Sequence, residues 1–216
     1  MRAKNPAILS DRDTAILTVL TRRVRVLAEY QLARQWWSHA ADPPASARKS
    51  LRRLVDAGLL REGVGMAHPM LPMTSPVLSW SPDTPMPDSE SGSYRLQSRW
   101  KLGRQSTRWY AATQSAGSLM GGFGGRAPRA SELTHDIHLA ELYLRLLARD
   151  AARAASWTSE TDLFKIGLGR NQRLPDAIIR NGNSWLVLEF GGAYPASKLR
   201  EFHGFCEYHG LAYEIW

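Results

Sequence analysis

Along the first sixty residues, apolar side chains recur at helical spacing in three short blocks. Ile16, Leu17, Leu20 and Val24 mark the first, between 11 and 24, with Ser10 or Asp11 as its N-cap. Residues 28–37 (AEYQLARQWW) form a second short amphipathic block. Asp42-Pro43-Pro44 signals a turn, and a third helix is predicted from 45 to 57. Its inner face is Ala47, Leu51, Leu54 and Val55, and Gly58 stops it. Leu59 to Gly63 then reads as a strand.

The middle of the chain is a different material. Residues 64–92 are rich in Pro, Met, Ser and Gly, with one apolar island at Val77-Leu78-Ser79-Trp80. A helix is expected from Asp88 or Ser89 to Arg99 and Trp100, and a strand at 107–113. The run 116–126 (AGSLMGGFGGR) lacks the Gly-Lys-Ser/Thr ending that places a lysine and a hydroxyl on phosphate, so it reads as a flexible connector. The last third is the most regular. A helix at 131–149, with Leu133, Ile137, Leu144 and Leu147 facing inward, precedes strands at 157–165, 174–180 and 184–190. Asn181-Gly182-Asn183 is a hairpin turn between the last two. A helix at 196–208 and a strand at 211–216 complete an αβββαβ order. The pattern predicts an α+β protein with boundaries at 1–66, 67–130 and 131–216.

Charge sharpens this division. The net charge of the 216 residues is +8. Residues 1–61 hold 12 Lys/Arg against 5 Asp/Glu, whereas residues 131–216 hold 9 against 11. The basic excess sits at the front, as a nucleic-acid module would place it. No apolar run reaches the length of a membrane span, and charges interrupt the first twenty residues where a signal peptide needs apolar ones. A cytoplasmic protein without a membrane partner is expected. Cys206 is the only cysteine and cannot form an internal disulfide.

Three short helices and a strand, with a proline-marked turn before the third helix, follow the winged helix-turn-helix plan. In that plan the third helix enters the major groove of DNA. Its outer face carries Ser46, Arg48, Lys49, Arg52 and Arg53, cations that suit phosphates on either side and bidentate contacts to guanine. Arg22, Arg23 and Arg25 add charge near the second helix. The same pattern also suits a solvated basic face or a winged helix that binds protein. A homodimer is compatible with either, although no heptad repeat is present.

A second constellation lies in the C-terminal third. With Gly182-Asn183 as turn residues, Asp176 falls opposite Glu189; with Asn181-Gly182 the two lie diagonally on one face. Two carboxylates that converge repel unless a proton or cation lies between them, and such a pair can hold magnesium for phosphodiester cleavage. Pro175-Asp176 and Glu189 within this order resemble the PD-(D/E)XK nuclease fold. Glu160, Glu132 or Glu141 is a candidate further carboxylate. The motif's lysine, two residues after the glutamate, is Gly191 here, and Lys198 on the next helix is the nearest substitute. Asp176 and Glu189 would be catalytic and metal-binding, with Glu160, only if the site is active. A structural pair, with Glu189 held by Arg180, Lys198 or Arg200, is the other reading.

Taken end to end, the chain resembles the replication-relaxation family. The matching stretches are Val26 to Leu32, Trp109 to Thr113, His135 to Leu139, Trp157 to Glu160, and Pro175-Asp176-Ala177 with Glu189. The resemblance implies an N-terminal winged helix joined to a nuclease-like domain, in plasmid or mobile-element replication or in transcriptional regulation. Phe190-Gly191-Gly192 departs from that family's acidic and basic pair. Two functions stay open: DNA binding without catalysis, and a magnesium-dependent endonuclease. His135 and His138 have a zinc-compatible spacing but also fit a helix start. His203 or His209 is a candidate neighbour of the carboxylates, Cys206 reads as a small buried residue, and Trp36 and Trp37 are candidates for a partner surface.

Overall fold

In the computed structural model, which describes residues 8–166 and 174–216, the chain is α+β with two sheets. It divides into two compact units, neither continuous in sequence. Residues 1–67 and 104–144 form the first, and residues 68–103 and 145–216 the second. The breaks fall after 67, 103 and 144, because a long excursion between two paired strands belongs to the second unit. Among the described residues, no helix is long and apolar enough to cross a membrane.

The first unit begins with α1 (Asp11–Arg22), β1 (Leu27–Ala28), α2 (Glu29–Trp36) and α3 (Pro43–Asp56). Ser10 caps α1 by accepting from the Asp13 amide, and the Asp13 carboxylate accepts from the Ser10 amide in return. Pro43 and Pro44 lie inside the first turn of α3, capped by Asp42, rather than before it. β2 (Leu60–Ala67) pairs antiparallel with β4 (Gln105–Ala112), and β1 pairs on the other side of β4, giving the order β1-β4-β2. The core is Ile16, Leu17, Leu20, Leu32, Leu51, Leu54 and Tyr110.

The glycine-rich run is not a loose connector. It opens as α5 (Gln114–Met120), and the Phe123 amide then donates to the Thr21 carbonyl at 2.7 Å. A Cβ on Gly122 would stand 2.1 Å from that carbonyl oxygen, so only glycine lets the backbones meet. α6 (Leu133–Arg149) follows, with Leu147 only half-buried.

The second unit takes β3 (Leu78–Trp80) and α4 (Ser89–Ser98) from the excursion. It continues with α7 (Ala151–Ala155), β5 (Thr158–Ser159), α8 (Glu160–Lys165), β6 (Ala177–Asn181), β7 (Ser184–Glu189), α9 (Ala196–Tyr208) and β8 (Ala212–Ile215). The sheet runs β3-β8-β7-β6-β5; β7 and β8 are parallel and the other pairs antiparallel. Its core joins Leu78, Trp80 and Leu96 of the excursion to Val187, Leu199, Phe202, Cys206, Tyr213 and Ile215. The strand expected at 157–165 is corrected to two strand residues and a helix. Ser159 accepts from the Asp162 amide, an N-cap three residues ahead of an acid that turns the chain into α8.

Arg53 pairs with the buried carboxylate of Asp13 and donates to the Ile8 carbonyl. Burial pushes the Asp13 carboxyl up, but the Ser10 hydrogen bonds and Arg53 outweigh it and hold it below the ordinary value. The folded state therefore favours ionised Asp13. This stability is complete above the usual carboxylate range and is lost as pH falls through the lowered folded value. Arg53→Met should cost about 1–2 kcal/mol at neutral pH, because one partner stays buried while the other is half-exposed. Urea denaturation at pH 7 and at pH 3 checks this: the deficit should shrink at the lower pH.

Candidate functional site

The β6–β7 hairpin sets the geometry of the carboxylate pair. Asn181 pairs with Ser184 and Ala177 with Leu188, so one further step brings Asp176 opposite Glu189. Gly182, at φ +62°, supplies the left-handed turn residue that this register requires. Glu189 is 2% exposed. Its Oε1 accepts from the Tyr194 hydroxyl at 2.8 Å and its Oε2 from the Asp176 amide at 3.2 Å. Asp176 Oδ2 accepts in turn from the Phe190 amide at 2.8 Å. Each carboxylate thus takes a main-chain N–H from the neighbouring strand, which offsets part of the cost of burying charge. Lys198 Nζ lies 3.4 Å from the centre of the Tyr194 ring, a cation–π contact one side chain away from Glu189.

The other acidic candidates do not complete a set. Glu160 begins α8 and is exposed, and its amide donates to the Asp176 carbonyl at 3.1 Å. Glu132, in the first unit, binds Arg126 at 2.6 Å and Arg129 at 3.7 Å. Burial raises the Glu132 carboxyl, but the Arg129 amide and the cations of Arg126, Arg25 and Arg129 bring it below its ordinary value. Glu141, also in that unit, is buried against Gln31 Nε2 at 3.2 Å and Arg34 at 2.7 Å. Among the described residues, no group of three or more His, Cys, Asp or Glu is placed to hold a metal ion. Both oxygens of buried Glu189 accept protein donors, so the pair is arranged as an internal brace.

Packing accounts for the glycine where the resembled motif has lysine. A Cβ on Gly191 would lie 2.8 Å from Ile215 Cγ2 and 3.0 and 3.1 Å from the Leu96 methyls. Leu96 belongs to α4, so the excursion occupies the space a side chain at 191 would use.

The basic candidates separate into two groups. Arg22 donates to the Met120 carbonyl, Arg23 hydrogen-bonds Tyr143, Arg25 lies 3.4 Å from buried Asp136, and Arg53 is held by Asp13. These four are engaged with groups of the first unit itself. On the outer side of α3, Lys49 is exposed and Arg48 and Arg52 are more than half-exposed, with Ser46 partly buried beside them. Arg48 lies 3.8 Å from Glu29, and Arg108 of β4 bridges Glu29 at 3.3 Å to Glu62 at 3.6 Å. Arg52 lies 3.6 Å from both Glu62 and Asp56. Sequence reasoning missed this ladder, because Glu29, Glu62 and Arg108 come from three separate segments.

The histidines serve packing. His138 is buried and its Nδ1 faces the Thr134 carbonyl at 2.7 Å within α6, while His135 sits 3.5 Å from Asp136. His203 packs edge-on to Trp80 and faces the Tyr213 hydroxyl at 3.3 Å, and burial raises that tyrosine above its ordinary range. His209 stacks near Phe205 and Tyr208. Cys206 is fully buried in the core of the second unit. Trp37 is buried beneath Arg12, and Trp36 is partly exposed.

Gly191→Ala should destabilise the protein by about 1–3 kcal/mol, the usual cost of overpacking. Chemical denaturation measures it. An unchanged midpoint would mean that Leu96 and Ile215 yield freely and that steric exclusion does not account for the glycine.

No family model, curated protein or solved structure matches this chain.

Proposed function

We propose that this protein binds DNA through α3 of a winged-helix unit and that its second unit is a nuclease-like domain that does not cut. The observation that carries the reading is the exposed row Arg48, Lys49 and Arg52, on a helix whose opposite side, Ala47, Leu51 and Leu54, is buried. The order helix, strand, three-strand sheet β1-β4-β2 with two further helices before β2 supports it, since that is the arrangement in which a winged helix offers its third helix to the major groove. For the second unit, support comes from three antiparallel strands followed by a helix and a strand parallel to the third, with Asp176 and Glu189 side by side. The satisfied carboxylates and Gly191 favour a non-catalytic role. By the family resemblance, the setting is plasmid or mobile-element replication or transcriptional regulation.

Phosphates compete with the glutamates for the arginines of α3. Exposed ion pairs are worth only about 0–1 kcal/mol each, so DNA can take over these cations at small cost. Affinity for duplex DNA, followed by anisotropy from 50 to 200 mM salt, should fall steeply. Lys49→Gln with Arg52→Gln should reduce the log–log salt slope by nearly two, at ~0.9 per phosphate contact. Glu62→Gln should strengthen binding several-fold by releasing Arg52 and Arg108. DNA affinity that responds to neither the double variant nor salt would remove α3 as the contact, and a complete lack of affinity would leave a protein-binding module.

The convergence of Asp176 and Glu189 favours one rival, a magnesium-dependent endonuclease. Supercoiled and linear DNA incubated with magnesium, with manganese and with EDTA should remain intact in all three. Metal-dependent cleavage that disappears in Asp176→Ala would replace the non-cutting reading.

A further inference from the structure

One end of the sheet in the second unit carries rings and cations that its core does not use. Arg180 and Trp185 face each other across β6 and β7, one pair in from the Gly182 turn. The Arg180 guanidinium lies 4.8 Å from the centre of the Trp185 ring, and both side chains are exposed, Trp185 at 41%. Arg153 of α7 reaches the same corner. Its Nε donates to the Arg180 carbonyl at 3.2 Å and its Nη2 to Asn181 Oδ1 at 3.1 Å. Two neutral acceptors fix this guanidinium without neutralising it. Among the described residues neither arginine has a carboxylate partner. The acids nearest in the chain are engaged elsewhere: Asp150 caps α7 by accepting from the Arg153 amide, and Glu207 lies 3.8 Å from His203.

The end of α9 adds further rings. Residues 209–211 return the chain from α9 to β8, whose Ala212 lies beside Leu186, the neighbour of Trp185. Tyr208 and His209 therefore stand at the same end of the sheet as Trp185. Tyr208 is 84% exposed, and its ring centre is 5.0 Å from that of His209, which in turn is 4.7 Å from Phe205. A cross-strand contact accounts for the Arg180–Trp185 pair by itself. It does not account for two cations without counter-charges at the end of the sheet that also exposes Trp185, Tyr208 and His209.

We propose that this corner binds single-stranded DNA, with Arg153 and Arg180 taking phosphates and Trp185, Tyr208 and His209 offering stacking surfaces to bases. A polyanion supplies the missing counter-charge, and its bases are the part that exposed rings hold. An acidic peptide would satisfy the cations alone. In a duplex the base faces are already covered by their neighbours, so the rings select a single strand. Asp176 and Glu189 stand at the opposite end of the same hairpin, so this corner is separate from the carboxylate pair. It belongs to a different unit from α3 and does not rest on the reading of that helix.

Fluorescence anisotropy of the whole protein with a labelled oligothymidylate, and with a duplex of the same length, tests the site. Saturable binding of the oligothymidylate is expected. Trp185→Ala should weaken it about tenfold, the cost of losing one stacked base, whereas Trp185→Phe, which keeps a ring, should cost no more than about threefold. Arg153→Gln with Arg180→Gln should lower the log–log salt slope by ~1.4, two phosphates at ~0.7 each on a single strand. Tyr208→Ala should also weaken binding, and its side chain is so exposed that this variant keeps the test decisive where a hairpin variant fails to fold. Lys49→Gln with Arg52→Gln should weaken duplex binding and leave the effect of Trp185→Ala on the oligothymidylate in place. A failure of duplex binding alone thus counts against α3 and not against this corner. Absence of saturable oligothymidylate binding, or an affinity that neither Trp185→Ala nor Tyr208→Ala changes, overturns the proposal.

Discussion

A buried carboxylate must be compensated where it stands, and in the second unit that requirement falls on Glu189. Its two oxygens accept from the Tyr194 hydroxyl and the Asp176 amide, while Asp176 accepts from the Phe190 amide. Those bonds exist only in one strand register, the one Gly182 allows by taking a positive φ. A slip of one residue would turn Glu189 to the opposite face of the sheet and leave these donors without acceptors. The turn, the register and the burial of Glu189 are therefore one constraint. The path from Phe190 through Gly191 to Tyr194 follows from it, and so does the placing of Lys198 over the Tyr194 ring.

The excursion between β2 and β4 gives that constraint its surroundings. β3 lies beside β8, so β8 is not an open edge offering unpaired main-chain groups. Leu96 of α4 closes over Gly191, and Arg99, just past the end of the same helix, holds the Gly191 carbonyl. One inserted segment thus excludes a side chain at the position where the resembled nuclease motif has its lysine.

Much of this could be read from local pattern. The period of Leu51 and Leu54, the Ser10 cap, the Asn181-Gly182-Asn183 turn and the bounds of α9 all concern neighbours a few residues apart, where sequence carries its strongest signal. The opposition of Asp176 and Glu189 followed from counting back from the turn. The pairing of β3 with β8 did not, because Leu78 and Ile215 are 137 positions apart and nothing local records the contact. The strand expected at 157–165 failed for a different reason. Its β-favouring residues outweighed a capping signal, Ser159 with Asp162, that was present but short. For the arginines, sequence reports charge and not partner: Arg53 reads like Arg52 until Asp13 is found beneath it.

The distinction between those two arginines bears on how the basic front half works. A cation fixed on a buried carboxylate contributes to the fold and little to the surface field, since its charge is matched at close range. Arg22, Arg23 and Arg25 are likewise engaged with internal groups. The excess of seven positive charges in residues 1–61 therefore overstates what a polyanion meets. Among the cations that remain, Lys49, Arg48 and Arg52 stand together on α3 near Arg108 of β4, and Glu29, Glu62 and Asp56 hold the three arginines at 3.3–3.8 Å in partly solvated pairs. Such pairs orient the guanidinium groups without binding them tightly. On the DNA-binding reading proposed above, they would limit the rotamers each arginine must give up on meeting DNA, and the glutamates would repel a phosphate until an arginine turned toward it. If α3 is the DNA contact as proposed, this ladder of weak pairs across α2, α3, β2 and β4 would lower non-specific attraction while keeping the helix ready for a duplex whose groove lets several arginines turn together.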